Sequence, residues 1–284
     1  MSYSFQIDSD VIKTEYNNNN YLIELDEAQP DGYCAIYFSS HDIYFPNTEE
    51  AFRQRVIKKN FFEWYRTRFP GVRKHIYLRD IKKQWYLSGV NSSINSPSAI
   101  LDFLKAETRG LKILVIGSSA GGYAATLFGN LLGAERIINF NGQSDLNVFL
   151  RDSTESENPL LFQLQKSELS AYYRLSSILP TISPETFYFY SDKSAQDLLH
   201  FHSLKSTSAT TIAFNTSHHG IPFLKCALEE ILSKTNAELK QLSRKRHHPL
   251  YFSIQQSGLL TVSKFLLNLV IQQVIRRLNK GMRT

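Results

Sequence analysis

The sequence predicts an α/β protein, a mostly parallel sheet between two helical layers. Six short aromatic or aliphatic runs recur up to residue 215, and segments of helical spacing separate them. Hydrophobic residues make up 42% of the 284, enough for a large packed core.

The runs are residues 33–40, 75–79, 112–117, 136–141, 186–191 and 210–215, each read as a buried strand. Residues 4–8 and 21–26 are expected as antiparallel strands at one edge, with Asn17 to Asn20 as a turn between them. A helix is expected over 48–69, opened by Thr48-Glu49-Glu50 and ended by Pro70-Gly71. Another spans 96–109, with Ser96 and Pro97 as cap and first turn and Gly110 as stop. Further helices are expected at about 120–132, 194–206 and 222–234. Residues 142–185 lack strand character and read as a helical cap insertion broken by Asn158-Pro159 and Ser183-Pro184. The expected domain is residues 1–234. Residues 235–284 follow as a basic linker (235–248, with Ser243-Arg244-Lys245-Arg246-His247-His248) and an amphipathic C-terminal helix over 256–279.

The net charge of +6 sits in the tail. Residues 235–284 hold nine Lys or Arg and one acid, Glu238, so they carry +8 and residues 1–234 carry −2. No basic stripe covers the body, which argues against nucleic-acid binding. Two cysteines, Cys34 and Cys226, make no disulfide framework and fit a reducing, cytoplasmic compartment. No apolar run approaches the roughly 20 residues of a membrane-spanning helix. Residues 1–8 have neither a basic start nor an apolar stretch, so no secretion signal is expected. The eight histidines form no spaced cluster with Cys or acids, and no metal site is expected.

The chemistry concentrates after the run 112–117. Gly117-Ser118-Ser119-Ala120-Gly121-Gly122 is a G-x-S-x-G pattern between a buried strand and a helix of small residues. A nucleophile on so sharp a strand-to-helix turn needs small neighbours two residues away, and Gly117 and Gly121 meet that need. Ser119 is the candidate nucleophile. The Ala120 N–H, at the start of the helix, is a candidate oxyanion donor. A dinucleotide loop would need an acid after the next strand, where Asn139-Phe140-Asn141-Gly142 stands, and a phosphate loop would need a Gly-Lys pair.

With these residues the chain resembles the α/β-hydrolase superfamily. That resemblance implies a three-layer sandwich and the order nucleophile, acid, histidine. Thr216-Ser217-His218-His219-Gly220 supplies the histidine: His219 is preferred because His-Gly matches the commoner pattern, and His218 stays open. The acid is Asp197 or Asp192. Asp197 is preferred because Asp197-Leu198-Leu199-His200 resembles an Asp-x-x-His segment of one bacterial branch, although Ser194 to Asp197 also reads as a capping box. Arg79-Asp80, then Trp85-Tyr86-Leu87-Ser88-Gly89, with the Gly-Gly-Tyr extension of the elbow, resemble serine hydrolase-like O-acetyltransferases and esterases of bacterial capsule and surface-polysaccharide loci. One N–H of Ser39-Ser40-His41 is then the second oxyanion donor; Ser40 is the named candidate, the other two staying open. Trp85-Tyr86 reads either as a sugar platform or as a buried anchor.

The function implied is acyl-ester chemistry through an acyl-serine, most often O-acetyl transfer to, or removal from, a surface glycan. No bound cofactor is expected, and acetyl-CoA is implied only as a donor. The rival is a catalytically silent scaffold in polysaccharide assembly. Residues 249–284 are expected to meet an anionic membrane, a second copy of the chain or the body itself.

Overall fold

The structure is a computed structural model that describes residues 5–155, 158–179, 181–183, 185–204 and 207–281. Met1 to Ser4, the proline of the Ser183-Pro184 breaker and the last two residues of the helix expected over 194–206 lie outside them.

Each of the six apolar runs is a strand, because a strand buried on both faces needs apolar residues at successive positions rather than alternate ones. They are β2 (Tyr33–Phe38), β3 (Lys74–Leu78), β4 (Lys112–Ser118), β5 (Arg136–Phe140), β6 (Thr186–Ser191) and β7 (Thr210–Phe214). With β1 (Tyr21–Leu25) they form one sheet in the order β1-β3-β2-β4-β5-β6-β7. β1 pairs antiparallel with β3, and the other neighbouring pairs are parallel.

The pleat divides the core. Cys34, Ile36 and Phe38 of β2 face α1 (Pro97–Glu107) and α2 (Ala120–Leu131), packing with Ile100, Leu104, Tyr123 and Phe128. Ala35 and Tyr37 face the opposite layer, where Phe187, Phe189, Ile212 and Phe214 meet Leu228 and Ile231. The result is an α/β-hydrolase-like three-layer sandwich. Short helices at Asn147–Asp152, Pro159–Leu164 and Leu175–Ile178 lie between β5 and β6 and bury Leu161 and Leu175 on the α1–α2 side.

Four expectations are corrected. The described part of the strand expected over 4–8 is not a strand: Phe5–Asp8 is one helical turn that inserts Phe5 between Tyr44 and Phe52. The helix expected over 48–69 runs only from Glu49, changing to π-helical spacing over Arg53–Lys58. Asn60 then takes a positive φ of 41° and the chain turns away. Arg79 explains the break. It is buried, and its guanidinium donates to the Val56 and Phe61 carbonyls and to Asn60 Oδ1, so these groups serve tertiary bonds instead of a helix.

The linker expected over 235–248 is part of the body. It holds α5 (Asn236–Leu242), between α4 (Leu228–Ser233) before it and α6 (Pro249–Ser257) after it, and Leu239 of α5 and Phe252 of α6 are fully buried with the β6–β7 aromatics. His247 continues the sheet beyond β7, giving its N–H to Ala213 O and receiving the N–H of Asn215, which covers an exposed edge. The polar composition masked this because two side chains carry the packing. The C-terminal helix is divided: Gly258, at φ 82°, separates α6 from α7 (Leu259–Gly281).

Arg79 also binds Asn20 Oδ1 and pairs with Glu15, so one cation joins the N-terminal helices, β3 and the 56–61 turn. Arg79→Met should destabilise the protein by about 3–5 kcal/mol, because it strands a part-buried carboxylate and several acceptors. Urea unfolding checks this; a loss of about 1 kcal/mol or less would remove Arg79 from its role as a brace.

Candidate active site

Ser119 stands between β4 and α2 with φ 55° and ψ −121°, a backbone conformation that a serine adopts only under constraint, at a typical cost of about 1–3 kcal/mol. The flanking glycines supply the constraint. A Cβ on Gly117 would lie 2.0 Å from Gly121 O, and one on Gly121 would lie 2.3 Å from Phe38 O. The first turn of α2 therefore rests directly on the end of β2. Ser119 donates its N–H to Phe140 O and its carbonyl accepts from the N–H groups of Tyr123 and Gln143, so β5 and the residues that follow it hold the turn.

His219 Nε2 lies 2.8 Å from Ser119 Oγ, and His219 Nδ1 lies 2.6 Å from Asp197 Oδ1. Asp197 sits in the first turn of α3 (Ala195–Leu204), fully buried, its own N–H bonded to Ser194 Oγ. The structure thus brings Ser119, His219 and Asp197 together and leaves the two alternatives outside. Asp192 pairs with Arg246. The His218 side chain is exposed, and its carbonyl is what the fold uses.

That carbonyl leads to two residues that the sequence reading missed. Ser191 Oγ donates to His218 O at 2.6 Å. Asn141 Nδ2 donates to Gly220 O at 2.8 Å, and Asn141 Oδ1 accepts the Ser191 N–H. Both side chains are fully buried at the carboxyl ends of β5 and β6 and brace the loop that carries His219. Gly220 takes φ 95°, which lets that loop turn back over β4. A polar side chain at the carboxyl end of a buried parallel strand was the available signal.

The expected second oxyanion donor is corrected. The Ser40 N–H is given to Glu63 Oε2 at 2.5 Å, so it is not open to an oxyanion, and the Ser39 N–H is given to Leu78 O. Burial raises the Glu63 carboxyl above the usual carboxylate range, its bonds to Ser40 opposing the shift. Ala120 is the first residue of α2, where helix geometry leaves the N–H without an intrahelical partner.

Two further imidazoles flank His219. Burial lowers His41 to about 3, helped by the nearby Lys83 and His219. Burial lowers His200, one helical turn after Asp197, to about 4. Both are neutral near pH 7. His41 Nε2, Asp197 Oδ2 and both ring nitrogens of His200 are buried without a partner among the described residues.

Trp85 and Tyr86 are an anchor, not an open platform. Both are buried at positive φ; Trp85 Nε1 donates to Gln143 and the Tyr86 hydroxyl lies within bonding distance of the Ser39 and Leu78 carbonyls. Asp80 shapes this turn by accepting the N–H groups of Lys82, Gln84 and Tyr86. A cavity of about 170 Å³ borders His41, Lys83, Asn47 and Asn158. Two larger clefts, of about 890 and 660 Å³, run along residues 59–72 and contain none of the three aligned residues. Among the described residues no group of three His, Cys, Asp or Glu side chains is placed to hold a metal ion.

No protein-family model and no curated protein matches the chain. Several solved structures are similar to it. One is the capsule O-acetyltransferase of Neisseria meningitidis serogroup A: 12% identity, 68% of this chain and 81% of that one covered, TM-score 0.45. A mutant of that protein in complex with CoA has 13% identity, with 68% and 82% covered and a TM-score of 0.44. The Wnt deacylase Notum from Drosophila has 15% identity, with 80% and 88% covered and a TM-score of 0.40.

Burial raises Asp80 to about 6, against its three N–H bonds. The folded state therefore holds this proton more tightly than the unfolded chain. Its stabilising effect is present below about pH 4, fades as pH rises towards 6 and is gone above it, a change of about 3 kcal/mol. Asp80→Asn should lack this slope. Thermal unfolding of both proteins between pH 4 and 7 checks it; parallel pH profiles would contradict the assignment.

Proposed function

We propose that this chain is a serine-dependent acyl-ester enzyme acting through an acyl-serine intermediate. The carrying observation is the unbroken series Asp197–His219–Ser119, at 2.6 and 2.8 Å, ending on a strained strand-to-helix turn. Ser119 Oγ attacks the ester carbonyl carbon as its proton passes to His219 Nε2. Asp197 orients His219 and stabilises the imidazolium. The oxyanion is held by the Ala120 N–H at the head of α2 and by a second amide. We assign that amide to His41, since Ser39 and Ser40 donate elsewhere. As the tetrahedral species collapses, the bond to the leaving alcohol or thiol breaks and His219 returns the proton to it. An incoming hydroxyl then gives its proton to His219 as it attacks the acyl carbon; the bond from that carbon to Ser119 Oγ breaks, and His219 returns the proton to Oγ.

The acyl group in this reading is acetyl and the acceptor is a hydroxyl of a bacterial surface polysaccharide, or water acting on such an ester. Acetyl-CoA is the donor for transfer. The support is the likeness of Arg79-Asp80, Trp85-Tyr86 and the extended elbow to polysaccharide-locus proteins. The unpaired thiols of Cys34 and Cys226 support a cytoplasmic site of action. One observation favours the rival scaffold reading: the Glu63 carboxyl occupies the Ser40 N–H, where the resemblance would place an oxyanion donor.

A fluorophosphonate probe separates the two readings, since it should label Ser119 in an enzyme and nothing in a scaffold. Ser119→Ala should abolish labelling and lower acetyl-ester turnover by at least about 10³-fold while the protein stays folded. Full activity in folded Ser119→Ala would sink the mechanism. His219→Ala should cost far more activity than His218→Ala; the reverse order would move the base by one residue. Mass spectrometry of the protein with acetyl-CoA, with and without glycan acceptor, tells transfer from hydrolysis.

A further inference from the structure

The catalytic reading uses nothing beyond Gly220, yet among the described residues α7 alone carries nine large apolar side chains exposed to solvent. It has 23 residues, roughly 35 Å. Among its described side chains Val262 is the last buried one, Phe265 is half-buried, and every side chain from Leu266 to Ile275 is exposed. Leu260 is 78% exposed, Leu267 59%, Val270 57% and Val274 49%. A soluble helix hides such a face against its own body. Here Gly258, at φ 82°, turns the helix away after α6 has filled its place in the core. Thr261, Lys264, Asn268 and Gln272 form one narrow polar stripe; up to Ile275 only the uncharged Ser263 and Gln273 interrupt the apolar residues that fill the rest of the circumference.

Charge identifies the occupant. From Leu239 to Thr284 the chain has nine Lys or Arg and no Asp or Glu. Lys240 and Arg246 are matched by Glu185 and Asp192 of the body, whereas Arg244, Lys245 and Lys264 are exposed. A second copy packed along α7 would set basic residues against basic residues, with no acid to pair across the seam, which is unlike the mixed charges that flank self-associating helices. The apolar face excludes nucleic acid. No described helix is long and apolar enough to cross a membrane. A wide apolar face with cations and no anions matches the chemistry of an anionic lipid surface.

We propose that α7 is a membrane-docking helix that lies in the plane of an anionic bilayer with Leu260, Leu267, Val270 and Val274 among the acyl chains. The attraction of the basic residues falls off within a Debye length, so docking weakens with salt.

The test uses the full chain and vesicles of equal parts phosphatidylglycerol and phosphatidylcholine, with pure phosphatidylcholine as control. The wild type should sediment with the anionic vesicles, less so with the control and less so at raised salt. Leu267→Gln/Val270→Gln/Val274→Gln changes only exposed side chains, so it should keep the fold and any acetyl-ester hydrolysis. It should lower vesicle binding by at least about tenfold. Sedimentation does not read catalysis, so the result stands whether or not Ser119 is a nucleophile. Equal binding to both vesicle types, or none to either, overturns the proposal. So does a wild type that is a dimer without lipid and becomes a monomer in the triple variant, because a second copy then covers the face.

Discussion

The site depends on one close approach, that of the first turn of α2 to the carboxyl end of β2. Two backbones meet there with no room for a Cβ at Gly117 or Gly121. This contact holds Ser119 at a positive φ and points the α2 N-terminus at the space in front of Oγ. It also sets the 39–41 loop beside that N-terminus, since the residues displaced by any Cβ on Gly121 are Phe38 and Ser39. The strain is local, and the fully buried flanks of β4 and α2 are what sustain it.

Around this turn the sheet acts as a frame for loops. Asn141 and Ser191 lie on neighbouring strands and hold the His219 loop by its carbonyls, leaving the imidazole free for chemistry. Burial then separates three histidines by role. His41 and His200 are neutral because the interior disfavours their charged forms. His219 is the imidazole with a carboxylate on one nitrogen and a hydroxyl on the other. Among the three imidazoles His219 therefore holds the position that the proposed mechanism asks of a base, and Asp197 Oδ2 is buried without a partner among the described residues.

What was legible in the sequence follows from which forces are local. Parallel strands announce themselves because burial on both faces demands continuous apolar runs, and all six runs became strands. The elbow was legible because backbone crowding shows directly as glycine. Asp197 was legible only through resemblance, since Ser194 does bond its N–H and a capping reading was equally consistent. Long-range polar bonds were not legible. Nothing near residues 48–69 reports that Arg79 will take the carbonyls of Val56 and Phe61, and nothing near Ser40 reports Glu63. The tail misled for a related reason: Leu239 and Phe252, scattered in a polar stretch, are worth more than the polarity around them once a groove exists.

On the function proposed above, the same geometry bears on whether water or a sugar would take the acyl group. The His219 side chain is 39% exposed beside a fully buried Asp197, so the imidazole proposed as base sits at the mouth of the site with the carboxyl group behind it. Water reaches such a base without help. A sugar hydroxyl competes only by being held in line with the acyl carbon, an advantage that orientation can make very large. In that reading, transfer from so open a site would require acceptor binding and would not be enforced by closure. In the proposed mechanism hydrolysis is the background reaction of the acyl-serine, so a transferase built this way would hydrolyse its donor slowly whenever the acceptor is absent.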